Sequence, residues 1–158
     1  MKRDIPKKEM LKLATGSESR PIKDCYWIVP DRFLAGEYPR DKDKQTSEEK
    51  IKALLRIGVN WFVDLTKLDD RYEPYIDMVR RLGGDRVFMK RFPVHDDSFP
   101  YSRIQTAEIL NTIDYVIEQK GIVYLHCWGG TGRTGTIVGH WLTRHGHKEE
   151  AIKCLNKL

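Results

Sequence analysis

The chain has 158 residues, with 28 Lys and Arg against 23 Asp and Glu and a net charge of +5. That length supports one hydrophobic core without disulfides, and three scattered cysteines, Cys25, Cys127 and Cys154, form no disulfide framework and point to a reducing, cytoplasmic setting. No stretch approaches the roughly 18 uncharged apolar residues of a membrane span, so a soluble protein with no membrane role is expected. The positive balance suits either an anionic substrate or a plain solvated surface, and nothing in it singles out nucleic acid.

Residues 1–20 are polar and Lys-rich, and read as a flexible N-terminal arm or a loosely docked segment. The single domain is expected over 21–158. From Tyr26, the run YWIV, a Pro30-Asp31 turn signal and FLAG predict two short strands in a hairpin. Thr46 and Glu49 fit a capping box ahead of a helix whose Ile51, Leu54, Leu55 and Ile57 form an apolar stripe, ended by Gly58. WFVDLT at 61–66 is a buried-strand pattern. YEPYIDMVRRL at 72–82 reads as a helix with Pro74 in its first turn and Gly83-Gly84 as its stop. VFMKRFP at 87–93 predicts another strand.

Between Ser102 and Gln119, the residues Ile104, Ala107, Leu110, Ile113, Val116 and Ile117 recur at helical spacing. A β-branched strand, IVYLH at 122–126, then leads into a Gly-rich loop, a helix from about Thr134 to Arg144 and a last helix within 147–158. Strands alternating with helices imply an α/β domain, with a largely parallel, four- or five-stranded central sheet flanked by helices.

The chemistry concentrates in His126-Cys127-Trp128-Gly129-Gly130-Thr131-Gly132-Arg133-Thr134-Gly135. A thiolate is the nucleophilic form of cysteine, and positive potential at a helix N-terminus favours it; Cys127 stands just ahead of such a terminus. Glycines at 129, 130 and 132 let the backbone turn its N–H groups inward as a nest for phosphate oxygens, with Trp128 and Thr131 completing the cradle. Arg133 supplies a planar, permanently charged fork for two of those oxygens, which lysine imitates poorly. Taken singly, a buried core cysteine, a glycine turn or a surface arginine would each be unremarkable. A nucleotide-binding GxxxxGK[ST] loop is disfavoured, since Arg133 stands where its Lys would be.

The HCWGGTGRTG loop, the PVHD segment upstream and the α/β order resemble the protein-tyrosine phosphatase superfamily, in particular its dual-specificity-like cysteine phosphatases, over roughly Tyr26 to Gly146. The resemblance implies hydrolysis of phosphate monoesters through a phosphocysteine on Cys127, with no cofactor and no metal. It implies that Thr134 hydrogen-bonds the Cys127 sulfur, that His126 orients the loop, and that an Asp some thirty residues upstream is the general acid. Asp96 follows Pro93-Val94-His95 as that acid should, and Asp97 is the alternative. Asp64 resembles a strand-end residue that supports the site, and Arg71 and Tyr72 fall in the loop after it.

The loop offers an aromatic ring and a hydroxyl but no further basic side chain. The expected partner is therefore a phosphorylated protein, with phosphotyrosine first and phosphoserine or phosphothreonine next; inorganic phosphate or another oxyanion would also occupy the site. A small phosphate ester (an inositol phosphate, a nucleotide or an RNA 5′-end) is one alternative, and a phosphate-binding module without turnover is the other. The chain also ends sooner after the loop than the resemblance implies for a full helical layer.

Overall fold

The structure, a computed structural model, describes residues 11–68, 73–94 and 102–156. Its centre is a five-stranded sheet in the order β1-β2-β5-β3-β4. The strands are β1 (Cys25–Val29), β2 (Phe33–Gly36), β3 (Val59–Asp64), β4 (Phe88–Arg91) and β5 (Ile122–His126). β1 and β2 pair antiparallel, and every other neighbouring pair is parallel. The hairpin turns through Asp31 at φ +59, where the Arg32 N–H donates to the Val29 carbonyl at 3.1 Å.

β5 lies in the middle with all five residues buried, as expected of a continuous apolar run in a parallel sheet covered on both faces. Its alternation assigns the faces. Val123 and Leu125 join a core cluster with α3 (Arg103–Glu118), α4 (Gly132–Arg144) and Ala151 of α5 (Lys148–Leu155). Ile122 and Tyr124 join a second cluster with α1 (Lys44–Arg56) and α2 (Ile76–Gly83) on the other face. Continuing that period places Cys127 with the α3/α4 cluster and His126 on the α2 side, where its ring meets that of Tyr75.

Several local expectations are corrected. The N-cap of α1 is Asp43, whose Oδ2 accepts from the Thr46 N–H and hydroxyl, both at 2.7 Å; Thr46 is therefore inside the helix, and no Thr46–Glu49 box forms. The start of α2 is Ile76, so Pro74 lies before the helix and not in its first turn, and Tyr75 at the boundary is drawn into the core. In α3, capped by the Ser102 side chain, the buried stripe is Ile109, Leu110, Ile113, Val116 and Ile117; Ile104 is 76% exposed because the stripe begins only at the second turn.

Of the N-terminal segment, residues from Leu11 onward are docked in part. Leu11 and Leu13 pack against the α3/α4 cluster, the Ala14 N–H donates to the Ile28 carbonyl at 2.9 Å, and Trp27 Nε1 donates to the Ser19 carbonyl. Among the described residues no helix is long and apolar enough to cross a membrane.

Candidate active site

β5 ends at His126, the loop runs from Cys127 to Thr131, and α4 begins at Gly132. This strand-loop-helix unit opens at the carboxyl end of a central parallel strand, where α/β sheets place their sites. Cys127 is 3% exposed at the floor of the loop, and Gly129, Thr131 and Gly132 form its open rim. The first N–H groups of a helix have no acceptor within it, and the Thr131 side chain provides no cap. The α4 terminus thus presents unsatisfied donors to whatever occupies the loop.

The glycines differ in what they do. Gly130 has φ +78, and a Cβ there would lie 2.3 Å from the carbonyl carbon of Gly36 and 2.7 Å from the amide nitrogen of Glu37. The loop is therefore seated directly on the backbone at the end of β2. Tyr26 of β1 adds a hydrogen bond from its hydroxyl to the Gly130 carbonyl at 3.0 Å. On the other flank the Tyr38 N–H donates to the Trp128 carbonyl at 2.9 Å, and the two rings lie 4.7 Å apart at 40°. Gly129, by contrast, has among the described residues only the Thr131 hydroxyl near its missing Cβ, at 3.9 Å.

Arg133 sits in the first turn of α4 and is 1% exposed. Its Nη1 donates to the Val94 carbonyl at 3.0 Å and, more weakly, to the Leu65 carbonyl at 3.5 Å. Thr134 is fully buried, and its hydroxyl has no hydrogen-bond partner among the described residues. The bond to the Cys127 sulfur that the resemblance implies is accordingly not made in this structure.

His126 is enclosed. Its Nδ1 lies 3.3 Å from the Cys127 carbonyl, its Nε2 meets the Tyr75 hydroxyl, and Asp64 Oδ1 stands 3.9 Å from Nδ1. Burial lowers the His126 pKa despite the opposing pull of the Asp64 charge, and burial raises that of Tyr75 well above the usual phenol value. A neutral imidazole and a protonated phenol fix the roles: Tyr75 Oη donates to Nε2, and Nδ1–H donates to the Cys127 carbonyl.

Asp64, at the end of β3, is fully buried. Its Oδ1 accepts from the Thr66 N–H at 2.8 Å and the Thr66 hydroxyl at 2.6 Å, while Oδ2 accepts from Arg91 Nη2 at 3.1 Å and Nε at 3.3 Å. A carboxylate ending a buried apolar strand is a signal readable in the sequence, whereas Tyr75 and Tyr38 carry no local signature. His95, Asp96 and Asp97, and likewise Arg71 and Tyr72, lie outside the described residues.

A family model described as a Swiss Army Knife protein, DSP-PTPase phosphatase domain, matches residues 22–157. Protein 067L of Invertebrate iridescent virus 3, a candidate tyrosine phosphatase, is 29% identical over 124 residues, covering 77% of this chain and 46% of that protein. Dual specificity protein phosphatase CDC14B of Mus musculus is 28% identical over 130 residues, covering 77% of this chain and 24% of that protein. The chain thus spans less than half the length of these relatives. A crystal structure of P. aeruginosa TpbA in complex with phosphotyrosine shares the fold with a TM-score of 0.62 at 19% identity, over 87% of this chain and 74% of that one.

Proposed function

The chain belongs to the DSP-PTPase phosphatase domain family of the protein-tyrosine phosphatase superfamily, and from that premise we propose that it hydrolyses phosphate monoesters, phosphotyrosine first, through a phosphocysteine on Cys127. The observation that carries the reading is the β5-loop-α4 unit, with a buried cysteine at the loop floor and a buried arginine in the first turn of the helix.

In the first step the Cys127 sulfur attacks phosphorus in line with the ester oxygen, an S–P bond forms and the P–O bond breaks. The loop amides and the Arg133 guanidinium bear the charge on the equatorial oxygens. The departing oxygen takes a proton from Asp96, with Asp97 as the alternative donor. In the second step the same carboxylate takes a proton from water as the water oxygen attacks phosphorus, and inorganic phosphate leaves while the sulfur recovers its electron pair. The buried Thr134 hydroxyl, without a hydrogen-bond partner among the described residues, serves the sulfur as that charge returns, and His126 orients the loop through the Cys127 carbonyl.

Phosphotyrosine is favoured because the loop carries the Trp128 ring, supported by Tyr38, and no basic side chain besides Arg133. The net charge of +5 favours the second reading, a small and more highly charged phosphate ester. Hydrolysis of para-nitrophenyl phosphate that is lost in Cys127→Ser tests the reaction. Relative kcat/KM on phosphotyrosine peptides, phosphoserine peptides, inositol phosphates and nucleotides separates the substrates. Absence of turnover in the unaltered chain would leave the non-catalytic binding module.

A further inference from the structure

We infer that Asp64 is a positioning residue for the reaction: clamped by Arg91 and Thr66, it sets the backbone carbonyls that aim the Arg133 guanidinium. The inference rests on the phosphatase reading and adds to it a residue that touches neither substrate nor sulfur.

The argument begins with the ladder beyond the strand ends. β3 stops at Asp64, but its pairing continues on both sides: the Phe92 N–H donates to the Asp64 carbonyl at 2.8 Å, the Leu65 N–H to the His126 carbonyl at 2.9 Å, and the Val94 N–H to the Leu65 carbonyl at 3.0 Å. These bonds put the Leu65 and Val94 carbonyls side by side, and both accept from Arg133 Nη1. Among the described residues, the hydrogen bonds of the fork thus go to two short extensions that leave the sheet with no regular strand to hold them.

Asp64 is the group that fixes both. Oδ1 gathers the N–H and hydroxyl of Thr66, closing the chain on the far side of Leu65. Oδ2 takes two donors from Arg91, the residue directly across in the β3–β4 register and immediately before Phe92. One carboxylate therefore pins residues 64–66 and the start of residues 91–94 together. A buried carboxylate is costly unless fully paired, and here the four donors come from the two segments that carry the Arg133 acceptors. The charge of Asp64 is matched by Arg91 at 3.1 Å, a partly buried side chain, and the link from Asp64 to Arg133 runs through the backbone carbonyls.

The test is Asp64→Asn in the full chain, which keeps the shape but turns one acceptor oxygen into a donor. Two quantities are read: kcat/KM on para-nitrophenyl phosphate, and the affinity for orthovanadate by calorimetry, which needs no turnover. Misplacement of a catalytic group by ~1 Å can cost ~100-fold, so a fall of about tenfold or more is expected in both quantities, at a temperature where circular dichroism shows the variant folded. In an Arg133→Lys background the same change should add little, because the fork it aims is already gone. Unchanged vanadate affinity in folded Asp64→Asn, or losses that multiply fully with those of Arg133→Lys, would overturn the inference. If Asp64→Asn does not fold, Thr66→Val and Arg91→Gln each remove one side of the clamp and are read in the same two ways. An inactive parent chain would defeat the phosphatase reading alone, since the vanadate measurement still decides the role of Asp64.

Discussion

The Tyr75 hydroxyl donates to Nε2 of His126 inside the core, which leaves Nδ1 of the same ring to hold the carbonyl of Cys127. A residue from the segment before α2 thereby fixes the tautomer of the histidine that leads into the Cys127–Thr131 loop. Tyr75→Phe strands a buried acceptor, at a cost of about 1–3 kcal/mol. Urea unfolding of the two proteins measures it, and equal midpoints would show that the hydroxyl does not contribute.

The same histidine predicts a pH dependence. Burial depresses its folded-state pKa, so the unfolded chain binds the proton first as pH falls. Stability should be full above the unfolded value of ~6.5 and decline below it, towards the folded pKa. His126→Gln should flatten that part of the curve in denaturation experiments between about pH 7 and pH 5.

Cys127→Ser removes the proposed nucleophile and keeps the loop. Turnover of para-nitrophenyl phosphate should vanish while orthovanadate still protects against thermal unfolding. Full activity in that variant would end the cysteine mechanism. Arg133→Lys should lower both turnover and oxyanion affinity, because a single ammonium cannot span two oxygens.

For the general acid, Asp96→Ala should depress rates most for phenols that leave poorly, steepening the dependence of kcat on leaving-group pKa. If Asp97→Ala alone steepens it, the assignment passes to the neighbouring residue.

Two adjacent glycines give a paired prediction. At Gly130 a methyl group would overlap the Gly36 carbonyl carbon, on a backbone with φ +78. Left-handed geometry alone costs an L-residue roughly 1–2 kcal/mol, so Gly130→Ala should destabilise by more than that and largely abolish activity. Gly129→Ala meets no close contact among the described residues and should leave the unfolding free energy within about 0.5 kcal/mol of the parent.

Much of this molecule was legible in local pattern. The β-branched run 122–126 and the glycines after it located the central strand, the loop and the helix, because burial on both faces and a sharp backbone turn each demand particular residue types. Helix starts were harder. Asp43 and Thr46 are both good caps, and only the three-dimensional approach of the chain selected Asp43. What the sequence could not display are contacts across long separations: Tyr75 on His126, Tyr26 on Gly130 and Arg91 on Asp64 are set by strand order, which no local period encodes. Ile104 shows the converse, a residue with the right spacing in a turn that none of the described residues covers.

The seat of Gly130 on the end of β2 makes the edge hairpin a mould for the proposed phosphate cradle. A molecule whose hairpin has peeled away from β5 would have lost its catalytic shape while its helices still gave a native far-ultraviolet signal. Residual activity in mild denaturant therefore gauges the hairpin, and replacing β2 with a sequence of equal strand propensity but greater bulk at Gly36 would silence an otherwise intact domain.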